Sequence, residues 1–282
     1  MYYYIVESAK RAEFEKIELK IKEILTNFDI LGEFNFIDNL LDVDDAVKAG
    51  IGKGFSTIVA VGGDILVNKI AVNLVSSKTA IGILPLEESV LSTALGLGNW
   101  KTACEILAAR RVLMMDTGII NDKYFISEIM ASHSPDFPPV AKSKSIFSKI
   151  LGAGNGQSPS EKIPVDIEIE NNYQVHSEVS GLVVSNIRPF GSDLDSVRHS
   201  MIDNSLHLSF SDRVDSPEVY NSLNNSPKFL EKNNISLFHA NQIDIRSEKP
   251  LFFFSGQEVI ARTPASIQII PQSLKIIGGR LR

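Results

Sequence analysis

Ile58-Val-Ala-Val-Gly62-Gly63-Asp64, running directly into Ile65-Leu-Val-Asn68-Lys69-Ile70, carries the strongest structural signal in the chain. Thr57 to Val61 is a short β-branched run of the kind that forms a buried parallel strand. Gly62 and Gly63 give a tight turn in which backbone can approach a ligand without Cβ obstruction. From Ile65 onward, Leu66, Val67, Ile70, Ala71 and Leu74 follow helical spacing. Strand, glycine turn and helix together set free N–H groups and a positive helix end against an anion such as phosphate. Taken alone, the same residues also describe an ordinary strand-to-helix turn.

Working outward, strands and helices alternate up to about residue 120. Tyr2–Val6 reads as a first strand, and residues 13–28 as an amphipathic helix with Phe14, Ile17, Ile21, Ile24, Leu25 and Phe28 on one face. Phe34–Ile37 is a second strand, Asp44 and Asp45 start a short helix, and Thr79–Leu84 is a further strand. Asn99 reads as the N-cap of a helix through Arg110, with Cys104 and Leu107 facing inward. This order argues for a doubly wound parallel α/β domain of nucleotide-binding type over residues 1–119.

Residues 120–282 read instead as an antiparallel β-sandwich domain. Val112–Ile120 and Tyr124–Ile129 flank Asn121-Asp122-Lys123, a hairpin signal. Val165–Glu170 alternates cleanly, and further strands fall at 173–175, 181–185, 206–210, 235–240, 251–254 and 267–270. The cleft between the two domains is the default ligand site.

Composition excludes several classes. The chain has 282 residues, 44% apolar and 22% charged, as in soluble globular proteins. A net charge of −6 gives no reason to expect nucleic acid as a partner. One cysteine, Cys104, excludes an internal disulfide and suits a reducing cytoplasm. No apolar run reaches membrane-spanning length. Residues 144–151, with Lys144, Ile146, Phe147, Lys149, Ile150 and Leu151, read first as a loop; the second reading is a basic amphipathic helix making peripheral membrane contact.

The glycine turn resembles the Gly-Gly-Asp-Gly-Thr signature of the diacylglycerol-kinase catalytic family, which includes bacterial soluble lipid kinases and sphingosine kinases, with NAD kinases as distant relatives. Ala80-Ile-Gly-Ile-Leu-Pro85-Leu86 is similar to the strand leading into that family's Pro-Leu-Gly-Thr-Gly-Asn loop. Thr93–Leu97, Ala103–Ala109, Arg111, Asp116, Gly118–Phe125, Val183–Asn186, Asp203–Leu206, Phe254–Gln257 and Pro264–Ile277 follow the family's motifs in order. The resemblance implies the family's fold over most of the chain. It also implies a reaction, the transfer of the ATP γ-phosphate to a lipid hydroxyl with Mg2+, and a site formed by the matching residues.

Those residues match in part. Gly62, Gly63, Asp64 and Asn68 stand at the family's nucleotide positions, but Ile65 and Leu66 replace Gly-Thr and Lys69 replaces a glutamate. A branched side chain at Ile65 opposes close phosphate approach. The second loop, Pro85-Leu-Glu87-Glu88-Ser89-Val90, offers two carboxylates where the family has Gly-Thr-Gly-Asn. Two like charges 4 Å apart repel by about 4 kcal/mol at an effective dielectric of 20, so this loop opposes a triphosphate. The reading of these glutamates is solvated loop charge or a cap for the helix near Ser89. The first strand ends Val6-Glu7-Ser8-Ala9-Lys10 in place of a phosphate-binding Asn-Pro-x-x-Gly, with Lys10 and Arg11 read as solvated. Ser255 and Gln257 stand at the family's catalytic Asp and Glu positions and cannot serve as carboxylate bases. Glu258 is the nearby substitute, and in an extended strand it faces away from Gln257.

No other catalytic set emerges. His133, His176, His199, His207 and His239 are dispersed without metal-ligand spacing, and no metal site is read. Cys104 reads as a buried inert thiol; Asp193 and Asp195 read as a turn. The sequence therefore reads as a lipid-kinase-like protein with a degenerate catalytic site, a pseudokinase whose inter-domain cleft takes a lipid, small molecule or protein partner. Two alternatives stand beside it. One is an active ATP- and Mg2+-dependent lipid kinase using Gly63, Asp64 and Asn68 on the nucleotide side and Glu258 as base. The other is a non-catalytic homodimeric scaffold pairing through a sandwich edge.

Overall fold

The computed structural model describes the chain except residues 8–9, 88, 136–161, 171, 188–198, 217–218, 220–226 and 280–282. Residues 144–151, Glu88 and the Asp193/Asp195 pair thus lie outside the described residues.

The first part is a parallel sheet with helices on both faces. Strands β1 (Tyr2–Glu7), β2 (Glu33–Ile37), β3 (Thr57–Gly62) and β4 (Ala80–Pro85) lie in the order β2-β1-β3-β4, all parallel. The helices are α1 (Arg11–Asn27), α2 (Val43–Gly52), α3 (Asp64–Val72), α4 (Val90–Ala94) and α5 (Trp100–Ala109). Side chains alternate across a strand, so Tyr2, Tyr4 and Val6 meet Phe14, Ile21 and Leu25 of α1 with Cys104 and Leu107 of α5. Tyr3 and Ile5 point the other way, into a core shared with α2, α3 and α4. Each such buried side chain contributes roughly 1.5–3 kcal/mol relative to exposure. The buried tyrosines keep their hydroxyls bonded, Tyr4 to the Ile30 carbonyl at 2.7 Å and Tyr2 to that of Leu107 at 3.0 Å. Asn99 caps α5 as its position indicates, accepting from the amides of Lys101 and Thr102.

The second part is antiparallel. It comprises β5 (Val112–Ile120), β6 (Lys123–Phe125), β7 (Glu128–Ser132), β8 (Ile163–Ile169), β9 (Tyr173–Val179), β10 (Gly181–Ser185) and β11 (Leu206–Ser211). A short helix, α6 (Pro227–Lys232), precedes β12 (Ile235–Ala240), β13 (Gln242–Ser247), β14 (Phe252–Ser255), β15 (Glu258–Arg262) and β16 (Ala265–Ile277). One layer, β16-β13-β8-β9 with β5 and β6, continues the parallel sheet; the other runs β12-β11-β10-β7-β14-β15. Phe125, Ile129, Leu182, Ile243, Phe253 and Ile267 are among the side chains filling the space between them. β16 pairs antiparallel with β13 at Ile267 and parallel with β4 at Ile276, so a single strand joins both parts. No described helix is long and apolar enough to cross a membrane.

Two strand readings need correction. The run Tyr124–Ile129 is not one strand but β6 and β7, in different sheets. Its peptide groups are diverted from the ladder: the Ile126 amide donates to Asn68 Oδ1, while the Asn186 side chain and amide donate to the carbonyls of Ile126 and Ser127. The closing strand is also far longer than 267–270. A register shift between Ile270 and Leu274 lets it continue to Ile277, and buried Asp116 fixes that shift by accepting from the Gln272 amide at 2.8 Å.

Candidate functional site

The carboxyl ends of β1, β3 and β4 are level, because Val6 lies opposite Val61 and Gly62 opposite Pro85. From β1 the chain crosses to β2 on one side, then returns past β1 to β3 on the other, with α1 and α2 on opposite faces. Open α/β sheets bind ligands at such a switch point, in the crevice beyond the strand ends. Here that crevice holds Glu7, Gly62 and Gly63.

Gly63 is the N-cap of α3, with extended backbone at φ −99° and ψ −179°. Its amide points into the crevice and donates to Glu7 Oε2 at 3.2 Å. A Cβ on Gly62 would meet the same Glu7 oxygen at 2.6 Å, and one on Gly63 would run into Glu87 Oε1. The glycines therefore serve close approach, as their sequence position indicates, and the groups that approach are the protein's own carboxylates. Glu87 in turn accepts from Lys10 Nζ at 3.0 Å. Glu87 is thus an exposed loop charge, as read from the sequence, and not the helix cap; Lys10 is paired with it rather than free. The cap of α4 is Ser89, reciprocated by the Ser92 hydroxyl. Arg11 pairs with Glu15 and stacks over Phe36.

Asp64 opens α3. It faces the cleft on one side, but the protein packed around its carboxyl pushes its pKa up; a Ser89 hydrogen bond opposes that rise and the Glu87 charge adds to it. Four residues on, Asn68 turns away from the crevice. Its amide nitrogen donates to Ser255 Oγ at 2.9 Å and its oxygen accepts from the Ile126 amide at 3.1 Å. Asn68 is therefore a strut between α3 and the sandwich, with both ends of its amide engaged.

Gly256 and Gln257 form the turn of the β14–β15 hairpin, with Gly256 at φ +60°, the left-handed region glycine favours. Ser255 and Glu258 are consequently cross-strand partners. Glu258 thus lies on the cleft side, contrary to the extended-strand reading: the register is reset by the turn. Its carboxylate accepts from Lys69 Nζ at 2.7 Å. Ile65, whose side chain lies in van der Waals reach of a Cβ position on Gly256, fills the space between helix and hairpin.

Between α3 and the hairpins β5–β6 and β14–β15 lies a cavity of about 880 Å³, lined among others by Asp64, Asn68, Lys69, Tyr124, Ser255, Gln257 and Glu258. The structure thus gathers Asp64, Asn68, Ser255, Gln257 and Glu258 around one cleft, while Gly62 and Gly63 sit behind it under Glu7 and Glu87. Glu7 and the Lys69–Glu258 pair carried no distinctive sequence pattern; only the parallel register of β1 on β3 brings Glu7 to the turn. Among the described residues, no three His, Cys, Asp or Glu side chains are arranged to hold a metal ion. Cys104 is buried, and burial pushes its thiol up to about 11. His207 and His239 are cross-strand partners with ring centroids 4.6 Å apart.

The sequence matches no family model and no curated protein. Solved structures match it in fold along its whole length. Two from Bacillus anthracis are described as diacylglycerol kinases, one of them provisionally. They give TM-scores of 0.77 and 0.71 at 17% and 15% identity, covering 100% and 99% of this chain and 98% and 96% of theirs. An NAD kinase from Archaeoglobus fulgidus, solved in complex with ATP, gives 0.56 at 13% identity over 98% of this chain and 93% of that one. At these identities the likeness is one of fold, and the chain has the two-part fold seen in diacylglycerol kinases and NAD kinases.

Proposed function

We propose that this chain is a catalytically degenerate lipid-kinase homologue that keeps the inter-domain cleft as a ligand chamber and has closed the phosphate turn. The observation that carries the reading is the pair of carboxylates at Gly63: Glu7 accepts its amide, and Glu87, paired with Lys10, occupies the space where a Cβ on Gly63 would stand. A triphosphate does not fit this arrangement. It would face two anions where it needs donors, at a cost on the order of 4 kcal/mol for Glu7 at an effective dielectric of 20 and less for Glu87, which is half-exposed and screened. These residues therefore do not support phosphoryl transfer through ATP or Mg2+ at this turn.

The positions that would supply a base support the same reading. Ser255 and Gln257 carry no carboxylate, Asn68 holds Ser255, and the Glu258 carboxylate is engaged by Lys69. Phosphoryl transfer needs a base aligned on the attacking hydroxyl and cationic neutralisation of the phosphate, and neither has a donor set here among the described residues. The single buried thiol of Cys104 supports a cytoplasmic setting.

Turnover tests the reading. Incubation with radiolabelled ATP, Mg2+ and diacylglycerol in mixed micelles should give no labelled lipid above the protein-free control. Labelled lipid whose formation is lost in Asp64→Ala would overturn it.

A further inference from the structure

Granting the cleft as a ligand chamber, its charge says what kind of ligand it takes. The described lining carries two cations, Lys69 and Lys123, against five carboxylates, those of Asp44, Asp64, Asp122, Glu128 and Glu258. Both lysines are already matched within the wall: Lys69 contacts Glu258 at 2.7 Å and Lys123 lies 4.0 Å from Asp122. Asp44 and Asp64 are held differently. Asp44 accepts from the neutral Asn73 side-chain amide at 2.8 Å, and Asp64 lines the same wall with the neutral Ser89 side chain beside it. Neither carboxylate is matched by a lysine of the lining, whose two cations pair elsewhere, so carboxylates outnumber cations and the cavity is a net acidic chamber.

Apolar side chains enter the same space from both sides, Leu40, Leu41 and Val72 from the first part and Met130, Phe254 and Ile260 from the second. Tyr124 adds an aromatic face, a surface that attracts cations as well as apolar groups. The acidic groups are spread over opposite walls and do not converge as a metal set among the described residues. Dispersed negative charge beside apolar and aromatic surface suits an organic cation better than a point-charge metal ion.

We propose that the cleft binds a small organic cation, an amine on an apolar frame, with Asp44 and Asp64 as its counter-charges. This is the opposite charge preference to that of a nucleotide site. The polyanion is excluded and an ammonium is welcomed by the same carboxylates.

The test is calorimetric titration with three probes that share one frame: 2-(1-naphthyl)ethylamine, 2-(1-naphthyl)ethanol and 1-naphthylacetate, each at low and high salt. ATP with Mg2+ is titrated in parallel. The amine should bind at least about tenfold tighter than the carboxylate, and its affinity should fall with salt. An Asp44→Asn/Asp64→Asn variant, checked for an intact thermal transition, should lose that preference while still taking up the neutral alcohol. Equal or tighter binding of the carboxylate, no heat from the amine, or an undiminished amine preference in the variant would each overturn the proposal. With ATP silent, these outcomes leave the closed phosphate turn standing. ATP binding at the turn instead overturns the reading on which the chamber rests, whatever the amine does.

Discussion

The Glu7 carboxylate accepts the Gly63 amide at 3.2 Å, so the turn that begins α3 has its anion supplied by the end of β1. The parallel register of β1 on β3 enforces the approach, because Val6 opposite Val61 leaves Glu7 beside Gly62. A carboxylate at a helix N-terminus is favoured by the helix dipole and satisfies an amide that has no partner inside the helix. The same geometry that would cradle a phosphate is here part of the folded chain.

Removing these carboxylates should therefore trade stability for anion affinity. Glu7→Gln with Glu87→Ala is expected to lower stability by about 1–2 kcal/mol through the lost charge at the α3 terminus and the freed Lys10. In return, phosphate or pyrophosphate should bind in the millimolar range, worth about 4 kcal/mol. Chemical denaturation and titration with inorganic pyrophosphate check the two halves separately; a variant as silent to pyrophosphate as the wild type counts against the self-occupied turn.

Gly63 should prove tolerant despite its position. Its backbone is extended, at φ −99°, and what an added Cβ meets is the end of the flexible Glu87 side chain. Gly63→Ala is expected to cost less than about 1 kcal/mol, because Glu87 can swing away and give up Lys10. Thermal unfolding tests this, with Gly118→Ala as contrast: there a Cβ would enter the ring of buried Phe125, and a loss of several kcal/mol is expected.

Asn68 should behave as a structural strut. Asn68→Leu leaves the Ile126 amide without its acceptor and Ser255 without its donor, an expected loss of about 1–3 kcal/mol. Asn68→Asp should restore most of it, since one carboxylate oxygen accepts from Ile126 and the other from the Ser255 hydroxyl. Denaturant midpoints of the two variants decide the matter: equal losses would argue against the strut.

Asp64 sets a pH dependence whose sign is fixed. Its pKa is raised in the folded protein, mainly by burial, so the folded state holds this proton more tightly than the unfolded chain, where aspartate titrates near about 3.9. Its contribution to stability therefore declines as pH rises from the unfolded value through the raised one, and is then constant. Asp64→Asn removes that decline. The variant should gain on the wild type as pH rises from 3.5 to neutrality, by thermal unfolding in matched buffers; a gap that shrinks with pH would refute the assignment.

Most of the fold was legible in the sequence because its periodicities are unambiguous: the β-branched run 57–61, the helical spacing after Ile65 and the Asn99 cap each had one physical reading. Failures came where side chains override backbone pairing. Asn68 and Asn186 capture the peptide groups around Ile126 and split a run that reads in sequence as one strand. The β14–β15 turn at Gly256-Gln257 moved Glu258 to the cleft, which strand alternation alone had denied it. The site was half legible. Ile65 and Ser255 lie at the cleft and Glu87 at the glycine turn, as their sequence positions indicate, but the placement of Glu7 and Lys10 depends on strand register and on a contact 77 residues apart in sequence, neither of which a local pattern encodes.

Filling of the Gly62-Gly63 turn by Glu7 and Glu87, as proposed, leaves no room for nucleotide phosphate. Calorimetric titration of the purified protein with ATP and a non-hydrolysable analogue, with and without Mg2+, tests it most directly. No heat of binding and no thermal shift at millimolar nucleotide are expected. Mg2+-dependent binding that weakens in Asp64→Ala would show the turn open to phosphate and refute its filling by Glu7 and Glu87.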